Sequence, residues 1–280
     1  MTSLITLEGL HALKHASRFG ARIEQILSDD LDKALAVADT VAPEIRTLLE
    51  DRAKVVSRAR FRELTTQPVP THVLACAERP SWTLGQALPT TARPTILLDD
   101  PRNSKNLGAV IRVAAAVNAA GVLVNGENDP FDRMAVRGAA GLQWAVPCYA
   151  SADLLAELDD WRHQAGRDAM VTSLATPSPS ASGSLATPTT GGEATTLTIV
   201  GLDADGERFD PARFARPTIF AFGSERTGLS YAMRQRCDQI VSLPMRPQVS
   251  SLNLATCVSA VMYLRMYATE PDSSGGGLSR

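Results

Sequence analysis

Residues 95–124 read TILLDDPRNSKNLGAVIRVAAAVNAAGVLV. An apolar run, Thr95–Leu98, ends in a polar stretch. An Ala/Val/Ile-rich segment, Ala109–Val117, follows with helical character, and Gly121–Val124 is a second apolar run. Strand, helix and strand within about thirty residues form a βαβ unit, whose two strands run parallel. The polar loop opens the helix, so it presents backbone N–H groups at a helix N-terminus, where anions bind. Asn103, Ser104 and Asn106 are all suited to cap that helix. Arg112 lies in its first turns, on a segment otherwise made of Ala, Val and Ile. The dinucleotide fingerprint G-x-G-x-x-G is absent. Taken alone, the stretch is equally a capped helix with a surface arginine.

Upstream, residues 1 to about 85 mix helical and strand patterns. Ser3–Arg18 reads as a helix with Leu10, Leu13 and Ala16 nearly on one face, and Arg22–Leu27 as a strand. Asp30–Glu50 gives two helical stretches separated near Val41-Ala42-Pro43. Lys54–Val56, a helix near Arg58–Leu64 and His72–Ala77 complete a small α/β unit. The stretch with Pro80, Pro89 and Pro94 reads as a connector, with 86–94 as the linker proper. Downstream, Met170–Leu174 and Leu197–Leu202 read as strands. Between them, residues 175–196 are low-complexity Ser/Thr/Pro/Gly/Ala, expected to be a disordered insertion that makes no RNA contact. The tail 271–280 is expected to be flexible.

Two later blocks repeat the strand–loop–helix theme. Thr218-Ile-Phe-Ala-Phe-Gly-Ser-Glu-Arg-Thr-Gly-Leu-Ser230 runs an apolar strand into Gly223, Glu225 and Gly228. Glycines there permit φ > 0 and close backbone approach. Glu225 is either an acid near a helix cap or, buried beside a ligand, an orienting group. Ile240-Val-Ser-Leu-Pro-Met245 ends a strand at Pro244, and Ser250, Ser251 and Asn253 cluster at the start of the apolar helix Leu252–Tyr267. Capping explains one of those three polar groups. The apolar face of that helix (Ala255, Val258, Val261, Met262, Leu264) suits a core or a dimer contact.

In this order the three blocks resemble the motifs of the TrmH (SpoU) family, RNA 2′-O-ribose methyltransferases of the SPOUT superfamily. Asn106, Gly108 and Arg112 match its Asn-x-Gly-x-x-x-Arg motif. Phe222, Gly223, Glu225, Gly228 and Leu229 match Phe-Gly-x-Glu-x-x-Gly-Leu. Leu243, Pro244, Met245, Ser251, Leu252 and Asn253 match the hydrophobic-Pro-Met and Ser-Leu-Asn pair. Leu7–Leu13 resembles the opening of the family's substrate-binding domain. Two positions depart from the pattern. Lys105 stands where glycine is frequent, and Asn118 stands near the glycine that ends the first helix.

The resemblance implies an α/β fold. A SPOUT domain over 95–270, with a parallel sheet and a deep trefoil knot, would follow a small N-terminal α/β RNA-binding domain over 1–85. It implies S-adenosyl-L-methionine as cofactor, held by Phe222, Gly223, Ser224, Gly228, Leu243, Met245 and Leu252. Arg112, Asn106, Glu225, Ser251 and Asn253 would be catalytic, with Glu225 holding Arg112. It also implies a homodimer acting on ribosomal or transfer RNA, the former preferred for the two-domain layout, with no metal required.

Composition agrees without deciding. The net charge is −2, so a basic surface must be local, and only Lys14, Lys33, Lys54 and Lys105 are lysines. Cys76, Cys148, Cys237 and Cys257 are scattered, excluding a zinc ribbon or disulfide scaffold. His11 and His15 share a helix face but lack a third ligand. With no signal-peptide pattern and no run of eighteen apolar residues, the expectation is a cytoplasmic protein without a membrane span. Two other readings stand beside the enzyme: a non-catalytic RNA-binding protein of the same fold, and a nucleotide-binding dehydrogenase, which the missing fingerprint disfavours.

Overall fold

A computed structural model describes residues 3–90, 92–175, 197–249 and 251–269. The low-complexity stretch from 176 to 196, Ser250 and the tail 271–280 lie outside the described residues. The first elements are β1 (Leu4–Glu8), α1 (Leu10–Arg18), β2 (Ile23–Ser28), α2 (Leu31–Val41), α3 (Arg46–Arg52), β3 (Ala53–Val55), α4 (Arg58–Leu64) and β4 (Val73–Glu78). They form a four-stranded sheet in the order β1-β4-β2-β3. The helix expected over Ser3–Arg18 begins only at Leu10. Leu4–Glu8 alternates, burying Ile5 and Leu7 while Leu4 faces out, and it pairs antiparallel with β4. A period of two across a half-buried ribbon beats helical spacing there, and Gly9, at φ 94, makes the turn into α1. Asp30 caps α2 through Lys33 N at 3.2 Å, and Pro43 ends the first helical stretch with a 3-10 turn.

The connector holds one helical turn, α5 (Leu84–Ala87), started by a Thr83–Gln86 capping box. Next come β5 (Thr95–Asp99), α6 (Ser104–Ala116), β6 (Gly121–Asn125), α7 (Arg133–Gly138), β7 (Cys148–Ser151), α8 (Leu154–Ala175), β8 (Thr198–Arg208), β9 (Thr218–Phe222), α9 (Tyr231–Arg234), β10 (Gln239–Ser242) and α10 (Leu254–Thr269). Their six-stranded sheet has the order β10-β8-β9-β5-β6-β7, and every pairing is parallel. The strand expected over Met170–Leu174 is instead the end of α8. Five residues do not distinguish the two by periodicity, and here a helix already under way continues through them. Strand β7 and helix α7 were not anticipated. Asn118 has φ 51, so asparagine takes the left-handed position that ends α6.

Strand order reverses between β5 and β9, and such a switch point opens a crevice at the carboxyl ends of the strands. Beside it, β10 pairs with β8 twice. Gln239 and Ile240 face Val200 and Gly201, then the register shifts so that Val241 and Ser242 face Glu207 and Arg208. The chain at 202–206 therefore leaves the ladder. Gly206 passes so close to β10 that a Cβ would lie 2.6 Å from the Val241 carbonyl carbon.

Helices α6 and α7 cross on glycine. A Cβ at Gly108 would meet Ala135 O at 2.3 Å and Gly138 Cα at 2.9 Å. Helix propensity favours alanine there by about 1 kcal/mol. Overpacking against backbone costs about 1–3 kcal/mol and outweighs it. Gly108→Ala is therefore expected to lower the urea midpoint, and an unchanged or higher midpoint would contradict the close crossing.

The two sheets meet along α1, β1 and α7. Gly141, at φ 75, lets the backbone reach Ala12 O, where a Cβ would sit 2.4 Å away. His15 Nδ1 lies 2.8 Å from Ala140 O. Glu8, only 3% exposed, accepts from Thr66 N, Arg133 and Arg137. Burial pushes its carboxyl up, but hydrogen bonds from Thr66 and Arg133 outweigh that and hold it below the usual glutamate range. Its contribution is therefore present above the unfolded-state pKa and is lost as pH falls through the lower folded-state value. Glu8→Gln is expected to cost about 1–3 kcal/mol at neutral pH, with the gap to wild type closing in acid. Urea melts at both pH values check this, and a gap independent of pH would count against it.

Candidate active site

The carboxyl end of β5 begins the site. Asp99, 2% exposed, accepts from Asn125 Nδ2 at 2.7 Å and from Ser230 N at 2.7 Å. It thus ties the ends of β5 and β6 to the loop after β9. Asp100 turns the chain at φ 54 and pairs with Arg102. Asn103 then caps α6, accepting from Lys105 N at 2.9 Å and Asn106 N at 3.4 Å. With Asn103 as the cap, the Asn106 side chain is left for other work. Lys105 is exposed on the first turn.

After β9 the chain folds back on itself. Ser224 N donates to Gly228 O at 3.0 Å and Gly228 N to Ser224 O at 3.1 Å, with the Ser224 and Thr227 hydroxyls 2.7 Å apart. The tip of this tight loop is Glu225-Arg226-Thr227. Gly228 takes φ 67, and Gly223 faces the returning strand so closely that no side chain fits.

Glu225 Oε1 accepts from Asn106 Nδ2 at 2.7 Å, and its Oε2 from Arg102 N at 3.3 Å. Asn253 Nδ2 in turn donates to Asn106 Oδ1 at 3.2 Å, while Asn253 Oδ1 caps α10 through Ala255 N at 3.0 Å. One residue from each sequence block thus joins a single chain, Asn253–Asn106–Glu225. Partial burial pushes the Glu225 carboxyl up, but hydrogen bonds from Asn106, its own backbone and Arg102 prevail, so its pKa is lowered and it is ionised at neutral pH.

A cavity of about 480 Å³ opens beside this chain. All seven residues expected to hold cofactor line it: Phe222, Gly223, Ser224, Gly228, Leu243, Met245 and Leu252. Glu225 and Ser251 line it too, as do Asp203, Arg226 and Cys257, which sequence reading passed over. Asp203 follows the apolar run Leu197–Leu202, a polar break of the kind that marked Asp100, and that was the available signal. Burial raises the Cys257 thiol to about 11, so it stays neutral.

One expectation changes, and two readings left open are filled in. Glu225 does not hold Arg112, since its oxygens are taken by Asn106 and Arg102 N. Glu225 is also exposed rather than buried. On α10, Val258, Val261 and Met262 pack into the core, whereas Leu264 is 47% exposed. Arg112 is exposed on α6 and, among the described residues, has no ion-pair partner.

The volume lies within the roughly 300–1,000 Å³ usual for small-molecule pockets. Apolar walls, glycine-built backbone approach and a carboxylate at the mouth fit a nucleoside carrying a positive sulfonium. The fold and this site place the chain among S-adenosyl-L-methionine-dependent RNA 2′-O-ribose methyltransferases. Residues 93–263 match the SpoU rRNA Methylase family, and the chain belongs to it. It is 28% identical over 246 residues to a 23S rRNA (uridine(2479)-2′-O)-methyltransferase of Streptomyces viridochromogenes, covering 78% of this chain and 75% of that protein. The crystal structure of the SpoU methyltransferase AviRb from Streptomyces viridochromogenes in complex with AdoMet superposes with a TM-score of 0.69 at 25% identity, over 94% of this chain and 89% of that one. An AdoMet-bound rRNA methyltransferase of Sinorhizobium meliloti shares the fold, with a TM-score of 0.64 at 20% identity over 94% and 86% of the two chains.

Proposed function

We propose that this enzyme methylates a ribose 2′-hydroxyl of ribosomal RNA, with 23S rRNA the substrate to test first. The observation that supports it is the Asn253–Asn106–Glu225 chain at the mouth of the cavity, joined to the likeness to a 23S rRNA 2′-O-methyltransferase. When bound, S-adenosyl-L-methionine supplies a methyl group on a sulfonium, a leaving group that departs neutral. The chain must therefore position the ribose hydroxyl and assist loss of its proton. Phe222, Gly223, Ser224, Gly228, Leu243, Met245 and Leu252 would hold the cofactor. Asn106 and Asn253 orient the reacting groups, Glu225 fixes Asn106, and Ser251 contacts substrate or cofactor. Arginine is a poor base, because its guanidinium holds its proton tightly. Arg112 is assigned to position the RNA phosphate or the hydroxyl.

The same reading makes residues 1–85 the RNA-binding domain. It makes the stretch around β8 and β10 a knotted crossing, supported by the double pairing of β10. It makes the enzyme a cytoplasmic homodimer, supported by the exposed Tyr263, Leu264 and Tyr267 on α10. Among the described residues no helix is long and apolar enough to cross a membrane. The test is transfer of labelled methyl from S-adenosyl-L-methionine to total RNA lacking its native modification. The expected result is label in 23S rRNA within an alkali-resistant dinucleotide. Label confined to transfer RNA, or on a base, would overturn the assignment.

A further inference from the structure

The family motif leaves the residue after Glu225 unspecified, and in this chain it is arginine. Arg226 is the only basic side chain among the described residues lining the cavity; the other charged ones are Asp203 and Glu225. Both carboxylates are already engaged. Asp203 pairs with Arg234, which is not among the lining residues, and Glu225 accepts from Asn106 and Arg102 N. Arg226 is exposed and, among the described residues, has no ion-pair partner. The backbone that carries it is nonetheless fixed. The loop bearing it is closed by the Ser224–Gly228 backbone pair and the Ser224–Thr227 hydroxyl contact, and its neighbour Glu225 is tethered to α6.

The chemistry of the ligand supplies the match. S-adenosyl-L-methionine carries a sulfonium and an α-ammonium, both positive, and one α-carboxylate. Among the described residues lining the cavity, the carboxylates of Asp203 and Glu225 are engaged and the Arg226 guanidinium is not. The only anionic part of the ligand is well matched by a guanidinium, which meets a carboxylate with two parallel N–H···O bonds. Resting on the cofactor reading above, we propose that Arg226 anchors the methionyl carboxylate of the cofactor. Arg226 would thereby set the enzyme's preference for ligands with an intact amino-acid tail.

The experiment is calorimetric titration of the full chain with two ligands. S-adenosyl-L-homocysteine has the amino-acid tail, and 5′-methylthioadenosine keeps the nucleoside and thioether without it. Arg226→Ala is expected to weaken S-adenosyl-L-homocysteine by about tenfold or more, the worth of one charge-assisted hydrogen bond. Binding of 5′-methylthioadenosine should not change, which also shows that the variant is folded. Arg226→Lys should recover part of the loss, because it restores charge without the fork. Equal weakening of both ligands, or of neither, would overturn the assignment. So would unchanged cofactor binding with weakened RNA binding, which would make Arg226 a phosphate contact. A wild-type chain that binds neither ligand would overturn the cofactor reading itself, and this assignment with it.

Discussion

Arg112→Ala is expected to lower methyl transfer by about 10²-fold or more while S-adenosyl-L-homocysteine binds as in wild type. Arg112 is not among the residues lining the cavity, so removing it leaves the cofactor's surroundings intact. It is exposed, and surface substitutions usually change stability by less than about 0.5 kcal/mol, so the fold survives. Several other arginines are committed to structure: Arg133 to Glu8, Arg79 to Asp129, Arg234 to Asp203 and Arg236 to Asp159. Arg112 has no such partner among the described residues, so its guanidinium is free to meet a substrate. Arg112→Lys restores a charge but not two parallel donors, so it should recover only part of the rate. Single-turnover rates with saturating RNA and cofactor check this. A variant that methylates at the wild-type rate removes Arg112 from the mechanism.

Gly223→Ala has the second large effect, and it acts on the cofactor. A Cβ there would lie 1.9 Å from the Gly228 carbonyl carbon, 2.1 Å from Leu229 N and 2.2 Å from Gly228 O. All three are backbone atoms, so no side chain can swing aside. The loop must open, which breaks the Ser224–Gly228 pair and moves Glu225 away from Asn106. The expected result is loss of S-adenosyl-L-homocysteine affinity by more than about a hundredfold, with destabilisation of about 3 kcal/mol or more. Gly85→Ala is the matched control. Nothing lies within 4 Å of its Cβ position, and it sits in the single turn of α5, so it should be neutral or slightly stabilising. If Gly223→Ala binds cofactor as the control does, the loop is looser than described.

Much of this was legible before any coordinates. The βαβ unit over 95–124 announced a parallel sheet because its apolar runs were short, its helix long and its loop polar, and the strands at Thr95, Gly121, Thr198, Thr218 and Gln239 follow. Strand β7 escaped because Cys148-Tyr-Ala-Ser151 is short and carries no alternation, so only its pairing with β6 makes it a strand. Leu4–Glu8 was misread for a related reason. Five residues fit two periods about equally well, and β4 decides between them.

The motifs identified the residues of the site but not its wiring. Glu225 was expected to hold Arg112 because the two are opposite in charge and occur in the same motif set. On α6, Arg112 lies about 240° around and about 9 Å along from Asn106, so a carboxylate tied to one does not reach the other. Asp203 lies outside the motifs and Arg226 at a position that the second motif leaves free, and only the curl of the chain at 202–206 and the tight loop at 223–228 bring them to the cavity.

The sequence by itself determined the chemistry available to this protein: which side chains can be caps, carboxylates or cations, and which glycines permit close approach. These are properties of single residues and their near neighbours, and they survive without a fold. The tertiary structure alone decided which of those groups meet. Asn106, Glu225 and Asn253 are brought together from distant parts of the chain because strand order reverses between β5 and β9 and β10 returns along β8. Such pairings depend on long-range ladders and packing that no local pattern encodes.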